Sequence, residues 1–516
     1  MSPKIPTLDQ VADLARQLRL NLAPDRIEAF RNMIGLLMRA CARLDQLSEP
    51  VLEVRYPRTS GWRPAPADNP LGAWYWRCEI EGASSGVLRG KTVAIKDNVC
   101  VAGIPMMNGC AVLEGYVPEV DATIVSRILD AGGKIVGKAV CEALCCSTDA
   151  NSHTSDTGPV YNPYDLTRST GGSSSGSAAL LAAGQVDMAI GGDQGGSIRI
   201  PASWCGVYGL KPTYGLVPYT GIFPLELTLD HVGPMARTVE NVALLLEAIA
   251  GPDGLDPRQS GGPQPQPYSR LIDADVRGLR FGIVEEGFVF EQPEQDVIDA
   301  VRESAHAFAR LGCEVRPAAI PFHRDGAAIL FGIILGGMTS LVLDGNGLGN
   351  NWKGHYVTSM LDAFARGRLT RADDLPESVK LLGMAGKYLQ QAYHGRYYAK
   401  AQNLARALRA AYDRALGEFD LLVMPTTPIK AASVTPADLP LEAWSVQGRE
   451  IARNTGVFNV TGHPALNVPC AMSAGLPVGM MLIGRCGEDA TVLRAARAFG
   501  DRIFAPPSPE NREKRT

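Results

Sequence analysis

The sequence lacks the charge imbalance that marks a nucleic-acid or membrane partner. Its 516 residues carry 50 Lys and Arg against 54 Asp and Glu, a formal net charge of −4 with His neutral. Proteins that hold phosphate groups usually show a basic face or a long basic run, and no such run of Lys and Arg is present. The composition therefore predicts a small-molecule substrate and no nucleic-acid or membrane partner.

The cysteines lack the pattern of a zinc site or of a disulfide framework. There are 11 of them, an odd number, and the one adjacent pair is Cys145 and Cys146. Secreted proteins that depend on disulfides favour even numbers at regular spacings. We interpret these residues as reduced thiols of a cytoplasmic protein, and we expect neither a metal nor another cofactor.

The chain also lacks the marks of export or of membrane insertion. Its N-terminus, Met1-Ser-Pro-Lys-Ile-Pro-Thr7, does not show the basic and then apolar order of a signal peptide. We find no stretch that approaches the ~20 apolar residues needed to cross a bilayer. Both absences predict a protein that stays in the cytosol.

What the sequence does contain is ordinary globular material, with 46% apolar and 20% charged residues. Its length suggests one large domain with appendages, or two domains. Residues 8–47 carry apolar positions at helical spacing and predict a pair of helices. Residues 56–76 are rich in proline and tryptophan, which predicts an extended linker.

From Gly90 onward, short apolar runs alternate with helical patterns, which predicts an α/β sheet with helices. Strands are expected at 92–95, 134–137, 279–283 and 421–424, and helices at 122–131 and 375–417. We divide the chain into a helical N-terminal extension and linker (1–89), a catalytic domain (90–505, with a more variable, helix-rich part at 260–420) and a charged tail (506–516).

Three segments carry residue types that can perform chemistry. Lys96 ends a predicted strand and is followed by Asp97 and Asn98, the segment 171–177 is a Gly/Ser tract, and Gly195-Gly196 precedes Ser197. The tract runs into a good helix former, Ala178-Ala-Leu-Leu-Ala-Ala183. It is therefore predicted to be the turn before a helix, where free backbone N–H groups can face a ligand.

One interpretation of the tract makes Ser174 the nucleophile. The letters Gly172-Ser-Ser-Ser-Gly176 satisfy G-x-S-x-G, the nucleophile elbow of α/β-hydrolases, and His231 or His463 would then be the base. That motif requires an apolar strand immediately upstream. Residues 161–170 are polar and contain a proline instead, so this esterase hypothesis is disfavoured but stays open.

The other interpretation makes Ser197 the nucleophile. An apolar run ends there in glycines that let a substrate carbonyl approach the backbone. The N–H groups of Gln194, Gly195, Gly196 and Ser197 could then form an oxyanion hole, typically the largest single catalytic contribution. A neutral lysine can act as the base in Ser-Lys variants of the catalytic triad.

Together these residues resemble the amidase signature family. The resemblance rests on Lys96-Asp97-Asn98, on the tract from Gly171, and on the run from Asp193 to Pro201, and it extends over residues 90 to about 484. It implies the amidase signature fold, with a large mixed β-sheet flanked by helices on both faces, here with an N-terminal helical extension. Further matching segments are 205–213, 230–237, 458–466 and 475–479.

The family uses a Ser-cisSer-Lys triad in which the bridging serine lies 24 positions before the nucleophile. The resemblance therefore implies a triad of Lys96, Ser173 and Ser197, with a cis peptide between Gly172 and Ser173. It also implies that the chain hydrolyses carboxylic amides to an acid and ammonia or an amine through an acyl-enzyme on Ser197.

Residues around the triad have supporting or lining roles in this interpretation. Asp193 and Arg199 are expected to brace the glycine loop by an ion pair or hydrogen bonds, with Ser174 nearby. Six residues are expected to line a substrate pocket: Cys145, Cys146, Ser147, Tyr219, Ile222 and Phe223.

The identity of the substrate stays open at this point. Gln194, the N-terminal extension and the segment 218–221 resemble the branch of amidases often paired with nitrile hydratases. Anilides, carbamates and arylureas could react at the same triad, and an amidotransferase component or a non-catalytic scaffold are alternatives, although all three triad positions are intact. The apolar face of residues 8–47 suggests a homodimer.

Overall fold

The structure is a computed structural model that describes residues 3–147, 151–349, 351–436 and 450–509. The chain forms two compact units, an N-terminal unit of residues 1–53 and a large unit of residues 54–516. Of the predicted charged tail, residues 510–516 lie outside the described residues.

The N-terminal unit contains the predicted pair of helices, α1 (Leu8–Gln17) and α2 (Pro24–Leu44). Helix α1 begins with a capping box, in which the Thr7 and Gln10 side chains each accept the other residue's backbone N–H. Among the described residues of this unit, burial is confined to Val11, Ala15 and Gly35. Large apolar side chains therefore remain exposed, including Leu8, Leu14, Leu18, Phe30, Met33, Leu36, Leu37 and Leu44.

The large unit is built on one sheet of eleven strands in the order β1-β3-β2-β6-β8-β7-β12-β13-β11-β9-β10, with β4 and β5 forming a separate pair. The sheet is mixed, because β3-β2-β6 and β11-β9-β10 pair in parallel and the other neighbours are antiparallel. The strands are β1 (Trp74–Ile80), β2 (Thr92–Lys96), β3 (Lys134–Ala139), β4 (Tyr161–Asn162), β5 (Asp165–Ser169), β6 (Met188–Asp193), β7 (Tyr208–Lys211), β8 (His231–Ala236), β9 (Arg280–Val284), β10 (Glu314–Ala318), β11 (Leu421–Pro425), β12 (Ala465–Ser473) and β13 (Leu476–Ile483).

Helices cover both faces of this sheet, as the fold class predicts. Alternate residues of a strand point to opposite faces, and on β2 Val93 and Ile95 belong to one apolar core while Ala94 belongs to the other. Burial on both faces explains why the central strands are apolar throughout. The helices are α3 (Thr123–Asp130), α4 (Ser175–Ala182), α5 (Arg199–Trp204), α6 (Val239–Ile249), α7 (Tyr268–Leu271), α8 (Gln295–Ala307), α9 (Gly326–Met338), α10 (Thr358–Thr370), α11 (Glu377–Tyr393), α12 (Arg396–Glu418), α13 (Arg453–Thr461) and α14 (Asp489–Arg502).

The pairing of β2 with β6 determines which residues meet at the edge of the sheet. The two strands run in parallel with Val93 opposite Met188 and Ile95 opposite Ile190. Because the carboxyl ends of parallel neighbours lie at the same edge of a sheet, the end of β2 and the glycine-rich loop after β6 are side by side.

The structure differs from the sequence prediction in two elements. Strand β1 (Trp74–Ile80) begins inside the range 56–76 that is predicted as a linker, and it pairs antiparallel with β3 at the edge of the sheet. The single helix predicted over 375–417 is two helices, α11 and α12, separated by His394 and Gly395. Both residues have left-handed backbone angles, with φ of 55° and 77°. Such angles end a helix.

The expectation that no segment is long and apolar enough to cross a bilayer needs correction. The 24-residue helical segment Pro321–Asp344, which includes α9, meets that criterion by length and composition, because it contains an 18-residue window with a mean hydropathy of 2.1. The large unit uses it as a core helix: Ile329, Leu330 and Ile333 are buried in the apolar core of the sheet.

A substitution at Gly176 tests how closely α4 lies on the sheet. A β-carbon there would overlap the carbonyl oxygen of Ala73 and lie 2.6 Å from Val140 N, and neither backbone can move freely. We expect Gly176→Ala to lower the free energy of unfolding by about 1–3 kcal/mol, measured by urea denaturation. The matched control is Gly417→Ala in α12, where a β-carbon meets no atom within 4 Å; it should be neutral or slightly stabilising. An equal change in unfolding free energy for the two variants would contradict the close packing of α4 on the sheet.

Candidate active site

Lys96, the last residue of β2, is fully buried and faces Ser173. Its Nζ donates a hydrogen bond of 2.7 Å to Ser173 Oγ and one of 3.2 Å to the carbonyl oxygen of Gly192. The second bond holds the amine at the end of β6 and so fixes its direction. The structure thus brings together two of the three predicted catalytic side chains.

The chain around Ser173 is held on both sides. The peptide bond between Gly172 and Ser173 is cis, as the family resemblance implies, and the Ser173 carbonyl accepts a hydrogen bond of 3.2 Å from Glu142 N. A β-carbon at Gly172 would overlap the Glu142 carboxylate, so glycine is required there. These constraints keep the Ser173 hydroxyl directed at Lys96.

Ser197 lies in the loop between β6 and α5 and is half-buried, whereas Lys96 and Ser173 are fully buried. Its carbonyl accepts a hydrogen bond of 3.1 Å from Ser174 N. Among the described residues, Ser197 Oγ has no hydrogen-bond partner. The contact that a relay from Ser197 to Ser173 requires is therefore not formed in this structure, and catalytic hydrogen bonds often shorten only with substrate present.

The glycine-rich loop offers fewer free donors than the sequence predicts. Gly196 N donates to Asp193 Oδ1 at 2.7 Å, so this N–H is engaged inside the protein. In the part of the chain that the structure describes, the backbone N–H groups of Gln194, Gly195 and Ser197 have no acceptor. An oxyanion hole built here would therefore use these three donors.

A buried ion pair braces this loop, as predicted for Asp193 and Arg199. Both side chains are fully buried, and two guanidinium nitrogens each donate to an Asp193 oxygen at 3.0 Å. Ile198 N adds a third donor at 3.1 Å. Burial alone would raise the pKa of Asp193, but the charge and hydrogen bonds of Arg199, with the backbone donors, outweigh it and hold that pKa well below its usual range.

Helix α13 supplies two further braces to which sequence reasoning assigned no role. Asn459 accepts from Arg199 Nη2 at 2.8 Å and donates to the Asp193 carbonyl at 2.8 Å. Thr455, one helical turn earlier, donates to the Gly195 carbonyl at 2.6 Å. A β-carbon at Gly196, which has a φ of +140°, would overlap Thr455 Oγ1. With Thr455 in this position, the residue at 196 must be glycine.

A second buried ion pair stands beside Lys96. Asp97 Oδ1 lies 2.9 Å from Lys138 Nζ, and Asp97 Oδ2 accepts the N–H groups of Met107 and Asn108 at 3.0 and 2.7 Å. Burial raises the pKa of Asp97 despite these favourable contacts. The pair fixes the turn that follows β2, and with it the base of the site.

A cavity of about 90 Å³ lies beside Ser197, which is one of its lining residues. The predicted pocket residues Cys145, Cys146 and Ser147 line it. The complete lining among the described residues is Cys145, Cys146, Ser147, Gly172, Gln194, Gly195, Ser197, Ile200, Leu225, Leu330, Phe331, Ile334, Leu382 and Ala452.

The other three predicted pocket residues pack elsewhere, which corrects that part of the prediction. The Tyr219 hydroxyl accepts a hydrogen bond from Gln194 Nε2 at 3.0 Å. Ile222 bridges to Val99, and the ring of Phe223 lies edge-on to Phe364 at 5.1 Å. All three side chains are buried.

The geometry does not support Ser174 as a nucleophile. Its hydroxyl donates to the Gly192 carbonyl at 3.1 Å and accepts Gly192 N–H at 3.2 Å, so it pins the end of β6. His231 Nδ1 lies 2.7 Å from the Leu229 carbonyl, and His463 lies between Thr461 and Asp413. Neither histidine contacts Ser174 in the part of the chain that the structure describes, so neither can act as its base here.

The described residues contain no group of three or more His, Cys, Asp or Glu placed to hold a metal ion.

Comparisons with known proteins agree with this geometry. Residues 73–493 match the model of the Amidase family. An "Enantioselective amidase" of Rhodococcus rhodochrous is 45% identical over 511 residues, 98% of this chain and 97% of that protein. Among solved structures, a chain of the glutamyl-tRNA(Gln) amidotransferase of Thermotoga maritima has a TM-score of 0.68 at 31% identity (83% and 86% coverage). A peptide amidase of Stenotrophomonas maltophilia has 0.67 at 28% (82% and 85%).

Removing Arg199 tests the brace. Arg199→Met leaves the Asp193 carboxylate buried without its cation, which should cost about 3–5 kcal/mol of unfolding free energy at pH 7. Desolvation would favour protonation of the unpaired Asp193 carboxyl. The difference in unfolding free energy between Arg199→Met and the parent should therefore become smaller as the pH falls from 7 to 5.

Urea denaturation at both pH values checks this, and adding Asp193→Asn to the Arg199→Met variant should recover part of the loss. A stability equal to the parent's at pH 7 would show that the pair does not brace the loop.

Proposed function

Since the chain belongs to the amidase family, it is a hydrolase that acts on amide C–N bonds, and we propose that it does so through an acyl-enzyme on Ser197. Lys96 and Ser173 carry the protons in this proposal. The observation that supports it most strongly is the buried 2.7 Å hydrogen bond from Lys96 Nζ to Ser173 Oγ, next to a cavity that Ser197 lines.

Acylation begins when an amide binds with its carbonyl carbon at Ser197 Oγ. Lys96 takes a proton from Ser173 while Ser173 takes one from Ser197, so Ser197 Oγ attacks as the proton leaves. The developing negative oxygen meets the backbone N–H groups of Gln194, Gly195 and Ser197. These donors are fixed before the reaction, so little reorganisation is needed.

The tetrahedral intermediate then collapses with the relay running in reverse. Ser173 gives its proton to the leaving nitrogen and regains one from Lys96, and ammonia or an amine departs. Water attacks the acyl ester on Ser197 by the same relay and releases the carboxylic acid. Each group ends in the protonation state in which it started.

The cavity lining favours an uncharged amide with an apolar acyl group. Leu225, Leu330, Phe331, Ile334 and Leu382 form much of the wall, and among the described lining residues there is no Asp, Glu, Lys or Arg. Burying an unpaired charge against such a wall would be costly. Anilides, carbamates and arylureas also present a carbonyl carbon that Ser197 could attack, and they are the alternative substrates of this site.

Variants of the three residues test the assignment. Ser197→Ala removes the nucleophile and should lower kcat for an aryl amide by on the order of 10⁴-fold or more. Ser173→Ala and Lys96→Met interrupt the proton relay and should each cost about 10²–10⁴-fold. Steady-state kinetics with release of the amine as the signal measures all three.

Ser174→Ala is the matched control within the same tract. It breaks the two contacts with Gly192 and should cost about tenfold at most, equivalent to ~1.4 kcal/mol. Near-normal turnover by Ser197→Ala together with an inactive Ser174→Ala would overturn the proposal in favour of the elbow serine.

We also propose that the protein is cytoplasmic and forms a homodimer through the N-terminal unit. Leu14, Leu18, Met33 and Leu37 are exposed there by 47, 69, 60 and 63%. Large apolar side chains exposed in number on one small unit are typical of interaction sites. A second copy offers the same surface, and two-fold pairing of identical patches is the commonest way in which such surfaces are covered.

Charges on that surface should separate the copies. Met33→Glu combined with Leu37→Glu should halve the mass measured by size-exclusion chromatography with light scattering, with little loss of monomer stability because both side chains are exposed. The control is Leu369→Glu in α10, whose side chain is 72% exposed; it should leave the mass unchanged. A parent that is already monomeric would contradict the proposal.

A further inference from the structure

Cys145 faces the same cavity as Ser197, although amide hydrolysis as proposed makes no use of it. Its side chain lines the cavity together with the nucleophile and the donor loop, and 6% of the residue is exposed. A thiol in this position is a nucleophile that a bound small molecule can reach.

The backbone adopts an unfavourable conformation at this residue. Leu144 and Cys145 are consecutive non-glycine residues with left-handed φ angles of 50° and 56°, a combination that costs free energy for each residue. Two hydrogen bonds hold the turn: Leu144 N donates to the Asn108 carbonyl at 2.8 Å and Cys145 N to the Glu142 carbonyl at 2.9 Å. The surrounding structure therefore enforces the turn that places the thiol at the cavity.

The groups around the thiol stabilise its thiolate form. Burial alone would raise the pKa of Cys145, but hydrogen bonding with Cys141, the charge of Lys96 and hydrogen bonds from Ser173 and Lys96 outweigh it and lower that pKa to about 6. The Cys141 and Cys145 thiols each donate a hydrogen bond of 3.4 Å to Asn108 Oδ1, and this contact by itself favours the protonated form. The titratable and charged groups that act on this pair of thiols or on their neighbours are Lys96, Asp97, Glu142, Cys146 and Tyr219.

The neighbouring cysteines, Cys141 and Cys146, have raised rather than lowered pKa values. Burial raises the pKa of Cys146 to about 12, and its Sγ lies against Met338 Sδ at 3.8 Å. Cys141 does not line the cavity, and its pKa is raised. Because the thiolate is the reactive form of cysteine, Cys145 combines access and reactivity in a way that the other two do not.

We propose that Cys145 is a second nucleophile of this site, which adds to α,β-unsaturated amides and thereby blocks the cavity. The inference rests on the proposed function in one respect, that the electrophile enters the site as an amide. The class of ligand is a small uncharged amide whose carbonyl carbon is conjugated to a terminal alkene.

The addition needs no co-reactant. Lys96 accepts the proton of the Cys145 thiol, and Cys145 Sγ forms a bond to the terminal alkene carbon. The alkene π pair moves toward the carbonyl, whose oxygen is held by the N–H groups of the donor loop. The proton then passes from Lys96 to the carbon next to the carbonyl, so a thioether forms and the amide stays intact.

The test uses the full-length chain carrying Cys41→Ser, because Cys41 is an exposed thiol that would add background. Incubation with acrylamide should give one covalent adduct by intact-protein mass spectrometry, located to Cys145 by peptide mapping. Turnover should fall in proportion to the adduct. Propionamide, which lacks the alkene, should form no adduct and should slow the labelling when it is added in excess.

Two variants in the same background make the test specific. Cys145→Ala should lose the adduct, and its remaining activity should resist acrylamide at an exposure that inactivates the parent. Cys146→Ala should still be labelled. No adduct on the parent, or an adduct that maps to Cys146 or to another cysteine, would overturn the proposal.

Further measurements separate this proposal from the hydrolytic one. Ser197→Ala should still be labelled at Cys145, so a failed triad assignment would leave the labelling unaffected. The labelling rate of the parent should fall as the pH drops through about 6, whereas an ordinary exposed cysteine loses reactivity already below pH ~8.5. A labelling rate that already falls below pH ~8.5, as for an ordinary cysteine, would contradict an activated thiol.

Discussion

The buried ion pair between Asp193 and Arg199 is the constraint on which the site depends. Taking two charges out of water is costly, and such a pair is tolerated only where its geometry is good and further hydrogen bonds satisfy the remaining lone pairs. Here Gly196 N, Ile198 N and Asn459 supply those bonds. The same contacts fix the loop between β6 and α5, in which the backbone N–H groups of Gln194, Gly195 and Ser197 have no acceptor among the described residues.

The sheet supplies the other half of the arrangement. Lys96 and Asp193 end two adjacent parallel strands, so residues far apart in sequence meet at one edge without any flexible segment between them. The 2.7 Å bond from Lys96 to Ser173 is buried and connects this edge to the Gly/Ser tract. Ser197, the proposed nucleophile, lines the cavity and is half-buried, whereas Lys96 and Ser173 are fully buried.

The sequence alone predicted the parts of the site whose chemistry restricts residue type at fixed spacing, such as Lys96 and the Gly-Gly-Ser run. It could not predict that the Gly196 N–H is engaged inside the protein, because that depends on the folded loop, in which Gly196 has a φ of +140° and donates to Asp193 Oδ1. The predicted pocket residues that do not line the cavity have a similar cause: Tyr219 is an aromatic close to the site in sequence, but tertiary packing buries it and joins its hydroxyl to the Gln194 side chain. In the fold, β1 was missed because the nearby prolines suggested a linker, although Trp74 to Ile80 favours a strand.

The central claim is that Ser197 carries the acyl group during turnover. Mixing the enzyme with excess aryl amide, quenching in acid within the first turnovers and measuring intact mass should show one acyl adduct, which peptide mapping places on Ser197 and which Ser197→Ala lacks. An adduct on Ser174 or on a cysteine would contradict the account. So would rapid turnover with no covalent species even when hydroxylamine is supplied to capture one as the hydroxamate.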